Sequence, residues 1–144
     1  MKSLRCLIFL FGIVIVSCSN DNENAIQQAI LGKWNWIESY GGFTGNMHYT
    51  PEKTGEERQL IFKDNGAVYL ISNTDTVFNT NYLITKEKSI LFGDEFDFLT
   101  INYRYDLKDT IIYLPMRYII RTISDELVID EDVYDGLGHR YKRI

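Results

Sequence analysis

The sequence predicts an all-β fold, an antiparallel sandwich or barrel of eight or nine strands with a short N-terminal helix. Two observations carry this. From residue 58 onward, stretches of alternating apolar and polar residues follow one another, separated by turn signals such as Asp64-Asn65-Gly66, Asn73-Thr74-Asp75 and Asp135-Gly136. Short strands at that spacing build a sandwich or a barrel. Earlier in the chain, Trp34 and Trp36 are two residues apart. On a strand, that spacing sends both indoles to one face, and two indoles need a deep apolar interior.

The elements follow in order. Residues 24–31 are expected to form a short helix: Asn24 can cap it, Gln27 occupies the capping-box position, and Ile26 and Ile30 share a face. Gly32 stops it, and the tryptophan strand begins. Residues 41–57 contain Gly41, Gly42, Gly45 and Pro51 and show neither a helical nor a strand period, so they are expected to form a long loop. Long loops in small domains are often functional. Strands are then expected at 58–62, 67–72, 76–85, 90–92, 98–105, 111–123, 126–130 and 138–143, with Pro115 breaking or bending the longest of them.

The chain begins with a targeting segment. Lys2 and Arg5 precede an apolar run over residues 6–16, too short to span a bilayer. Ile15-Val16-Ser17-Cys18 resembles a lipobox, the processing site of bacterial lipoproteins, which makes Cys18 the lipid-attachment residue. The expected organisation is a signal peptide at 1–17, a polar and acidic tether at 18–24 and one domain at 25–144. Ser19 is not the aspartate that retains many lipoproteins at the inner membrane, and this favours the outer membrane, on either its periplasmic or its cell-surface face. Removing residues 1–17 takes away two basic side chains and no acidic one, so the formal charge moves from −5 to −7. An acidic domain without a basic cluster does not suit nucleic acid. Cys6 leaves with the signal and Cys18 carries lipid, so the mature chain has no pair of cysteines to join.

Gly32-Lys33-Trp34, together with Tyr141-Lys142-Arg143 at the far end, resembles the first and last strands of lipocalins. The wider layout resembles the lipocalin-like domain of small bacterial lipoproteins. It has a lipobox, then Leu31-Gly32-Trp34, a glycine-bearing loop, Leu60-Phe62-Gly66, Tyr118-Ile120, Leu127-Ile129 and Tyr141-Arg143. The resemblance implies a barrel whose first and last strands meet, with Trp34 structural and Arg143 packed on it near the closed end. The stretch 93–114 departs from the pattern.

Motifs for catalysis are scarce. The chain has two histidines, His48 and His139, and neither a G-x-S-x-G turn nor a phosphate-binding loop. His48 has no second ligand at metal-binding spacing and reads as a solvated loop residue. The acidic run 130–136 fails the calcium-loop pattern, because its fifth and twelfth positions are Tyr134 and Tyr141. It reads as a hairpin that aids solubility. No enzyme, metal or cofactor is therefore expected. The aromatic set of Trp36, Tyr69, Tyr82, Tyr103 and Tyr105 either lines a cup for a small hydrophobic ligand or fills the barrel. With a cup, loop 41–57 serves as its lid, with Phe43, Met47 and Tyr49 as the lid's apolar side. With a filled barrel, the molecule is a module that binds another envelope protein.

Overall fold

The computed structural model describes residues 20–108 and 110–144, so the expected signal peptide and Cys18 lie outside the described residues. Two helices, α1 (Asn20–Ile30) and α2 (Pro51–Thr54), accompany nine strands. These are β1 (Gly32–Gly41), β2 (Met47–Tyr49), β3 (Arg58–Phe62), β4 (Ala67–Ser72), β5 (Asp75–Lys88), β6 (Glu95–Leu107), β7 (Thr110–Ile123), β8 (Glu126–Glu131) and β9 (Leu137–Arg143). Strands β1 and β3 to β9 pair antiparallel with their sequence neighbours, and β9 returns to β1. The result is a closed eight-stranded up-and-down barrel with β2 added on the edge of β1.

Closure is set by the Trp34↔Arg143 and Trp36↔Tyr141 pairs. Trp34, Leu60, Phe62, Val68, Ile84, Leu99 and Leu127 bury the closed half of the barrel. Helix α1 covers that end with Ile30 fully buried and Ile26 packed on the core. The indole N–H of Trp34 donates to the Ile30 carbonyl at 2.7 Å. Above it, the Arg143 guanidinium lies 4.1 Å from the Trp34 ring centroid and donates to the carbonyls of Leu31, Ala29 and Ser124. Arg143 thus satisfies the Ala29 and Leu31 carbonyls and Trp34 that of Ile30 at the helix's C-terminal end, which has no Lys or Arg of its own.

Several expectations are corrected. Helix α1 starts at Asn20, so it takes in most of the residues read as tether. Loop 41–57 contains β2 and a one-turn helix, α2, capped by the Thr50 side chain and ended by Gly55 at positive φ. Residues 90–92 are a turn and not a strand. The Ser89 hydroxyl and the Ile90 and Leu91 N–H groups all donate to the buried carboxylate of Asp132, at 2.6, 2.9 and 3.3 Å. Pro115 does not break β7. Pairing of β5 with β6 stops at Tyr82↔Ile101, and pairing of β7 with β8 stops at Tyr118↔Glu131. Beyond those pairs, from Asn102↔Pro115 to Leu107↔Thr110, β6 and β7 pair only with each other. Pro115 thus stands on a free edge, where a missing N–H costs no ladder bond.

Candidate functional site

The barrel is not filled to the top. A cavity of about 300 Å³ opens in its mouth half, with Leu60, Leu70, Ile101 and Ile129 as its apolar wall. Its polar lining is Glu56, Arg58, Ser72, Tyr103, Tyr118, His139 and Tyr141.

A backbone irregularity creates much of this lining. With strict alternation, Glu38 would follow Trp34 and Trp36 into the interior. A bulge between Trp36 and Glu38 shifts the phase. Ser39 turns inward and is buried, while Glu38 turns out to meet Arg140 at 3.1 Å and His48 at 2.8 Å. Ser39 and His139 then become cross-strand partners, with Oγ and Nδ1 2.7 Å apart.

The indole N–H of Trp36 donates to Ser39 Oγ at 2.9 Å. Among the described residues, His139 Nδ1 is the one acceptor found for the Ser39 hydroxyl proton, so the assignment that satisfies every group passes that proton to Nδ1 and leaves a proton on Nε2. That Nε2 is buried and has no hydrogen-bond partner among the described residues. Glu131 Oε1 is 3.7 Å away, an ion-pair distance and too long for a hydrogen bond. The other Glu131 oxygen accepts the Leu137 N–H at 3.0 Å. With His139 opposite and that N–H in place, the carboxyl stays below its usual range despite burial. Tyr118 packs edge-on to the His139 ring at 5.8 Å and is the cross-strand partner of Glu131, and its hydroxyl is 3.2 Å from that of Tyr103. Burial pushes both tyrosines, and Tyr141, above the ordinary phenol value, so all three remain neutral donors. Arg58 stacks 4.8 Å from the Trp36 ring centroid and is held by Glu56 through two nitrogens, so its charge is already matched.

Of the aromatics named from the sequence, Tyr103 lines this cavity. Trp36 is absent from its lining and borders another recess of about 430 Å³ against Pro51 and Gln59. Tyr69 pairs with Ile61 and Asn79, in the opposite phase to the buried Val68, and so lies on the outer side of β4. Tyr82 sits near the closed end, edge-on to Phe62 at 5.0 Å, with its hydroxyl donating to the Lys63 carbonyl. Tyr105 is 45% exposed on the free β6–β7 arm. Phe43, Met47 and Tyr49 are also exposed, so they do not cover the mouth. His48 bridges Glu38 and Lys53, and among the described residues no group of three or more His, Cys, Asp or Glu could hold a metal ion. Sequence reasoning missed Arg58, Tyr118, His139 and Tyr141. The signal for His139 and Tyr141 was position, since they stand two residues apart on one strand, β9.

Scans against protein-family models, curated proteins and solved structures return no match for this chain.

Proposed function

We propose that this chain is a lipoprotein of the bacterial outer membrane, anchored through Cys18, whose barrel holds a small hydrophobic ligand without catalysis. The observation that carries the ligand reading is the cavity of about 300 Å³ in the mouth half, with its aliphatic wall and convergent polar groups. That volume is at the small end of ligand sites. The lipobox-like Ile15-Val16-Ser17-Cys18 supports the anchor. Ser39, His139 and Glu131 include the residue types of an acyl-transfer triad. Their arrangement suits an orienting network better. Ser39 is buried, its hydroxyl is engaged by Trp36, and it is absent from the cavity lining.

Native mass spectrometry of protein extracted from its own host tests this reading. A mass increment that organic extraction removes is the expected result. A bare mass, together with no saturable binding across fatty acids, sterols, alcohols and aromatic dyes, would overturn it. The anchor is tested by Cys18→Ala, which moves the protein to the soluble fraction or leaves it unprocessed. Three acyl chains at about 0.8 kcal/mol per CH₂ make spontaneous release negligible.

A second reading, a module that binds an envelope protein, is favoured by the free β6–β7 arm. There Tyr105, Ile111, Tyr113 and Leu114 are exposed together and both strand edges are unpaired. Cross-linking from Tyr113 in whole cells distinguishes it: one recurrent protein adduct supports the module, and none favours the ligand-holding barrel.

A further inference from the structure

We propose that the barrel's ligand is uncharged and carries a hydroxyl, which seats between His139 and Glu131 with the Tyr103–Tyr118 hydroxyl pair beside it. This rests on the ligand-binding reading above and adds the chemistry of the ligand's polar end.

His139 Nε2 and Glu131 Oε1 are 3.7 Å apart. One oxygen about 2.8 Å from each closes that gap, accepting from Nε2–H and donating to the carboxylate. Only a group that is donor and acceptor at once satisfies both, and a hydroxyl is one. The chain Trp36 to Ser39 to His139 fixes the imidazole so that its N–H is presented there. The buried Nε2, without a partner among the described residues, is stabilised by gaining one.

The same site disfavours a carboxylate ligand. The one cation in the cavity lining, Arg58, is held by Glu56, while the Glu131 carboxyl, outside that lining but 3.7 Å from His139 Nε2, stays ionised. An anion would meet a like charge and find no free cation. A bare hydrocarbon would leave Nε2 without a partner, and with it the one hydroxyl proton that the tyrosine pair does not use on itself.

Matched ligands test this at pH 7 by isothermal titration calorimetry: 1-octanol against octanoate, and 2-naphthol against naphthalene-2-carboxylate. The alcohol of at least one pair should bind about tenfold tighter than its acid. Glu131→Gln should narrow that preference, and Tyr118→Phe should weaken the alcohol several-fold. Melting curves must show that both variants remain folded. If an acid binds as tightly as its alcohol, or if neither variant alters the alcohol's affinity, the hydroxyl site is wrong and the ligand-holding barrel stands. If none of the four compounds binds and the host-extracted protein carries no ligand, both fail together.

Discussion

Trp34 and Arg143 meet at the closed end, but truncating them should have unequal effects. Trp34 is fully buried among Ile30, Leu60 and Phe62, so Trp34→Ala leaves a cavity that the barrel wall cannot collapse into. Its expected cost is about 3–5 kcal/mol. Arg143→Ala loses a cation–π contact of about 0.5–2 kcal/mol and three carbonyl contacts, and water can reach part of that site. Urea denaturation of both variants checks the order, and a larger loss for Arg143→Ala would sink it. Trp34 was legible from its alternation with Trp36, whereas Arg143 as its partner followed from the resemblance carried by Gly32-Lys33-Trp34 and Tyr141-Lys142-Arg143 and not from periodicity. Ser39 was not legible. The bulge after Trp36 has no glycine or proline to announce it, and without the bulge Ser39 belongs to the outer face. Tyr69 is the opposite case. Ala67-Val68-Tyr69-Leu70-Ile71 is apolar throughout, so residue type gives no phase, and only pairing with β3 and β5 decides which side faces inward.

At the scale of elements, the turn at 89–94 shows how an acidic run can be misread. The residues 130–136 resemble a solvated hairpin, yet Asp132 is buried and organises a turn more than forty positions earlier in the chain. On the same outer side, Phe98 and Ile119 are fully buried outside the main core cluster. Arg117 stacks on Phe98, and Arg121 stacks on Phe92 and Phe96. Burial raises the Asp132 pKa, but the Ser89 hydroxyl and the Ile90 and Leu91 N–H groups outweigh it, and the net direction is downward. A carboxylate depressed on folding contributes stability that is present above its unfolded value, near 3.9, and is lost as pH falls through the folded value. Asp132→Ala should therefore cost about 2–4 kcal/mol at pH 7 by leaving its donors unpaired. It should also flatten the loss of stability on acidification below about pH 4. Chemical denaturation at pH 7 and pH 3 measures both effects. Equal acid sensitivity in wild type and variant would remove Asp132 from this role. A contact of such sequence separation has no local signature, whereas the hairpin turn at 63–66 does. There Gly66 at positive φ and the Lys63–Ala67 bond follow from residue type.

At the scale of the whole molecule, the chain's order along the barrel axis fixes which end lies next to the anchor. Strand β1 starts beside α1 at Gly32 and ends at the mouth near Gly41, about 30 Å of strand later, or about 23 Å along a tilted axis. The 63–66 turn returns to the closed end, because Phe62 pairs with Gly32, while Phe43 follows β1 at the mouth and is 80% exposed. Cys18 precedes Asn20, the first residue of α1, by two positions, a reach of at most about 7 Å. If lipid is attached there, the membrane adjoins α1 and the closed end, and the cavity opens away from the bilayer. The acidic balance of the mature chain opposes any second contact with anionic lipid. Cysteine usage makes the test clean, since Cys6 and Cys18 are the two cysteines of the chain, and under the proposed processing Cys6 is removed and the Cys18 thiol is blocked by lipid. Asp64→Cys and Phe43→Cys, each labelled with a fluorophore on the acylated protein in vesicles, report the two ends. A headgroup-attached quencher should dim the label at residue 64 far more than the label at residue 43. The same labels on protein made without the signal peptide should respond equally and weakly. Stronger quenching at residue 43 would place the mouth against the membrane, and ligand would then enter from the lipid instead of from the aqueous side.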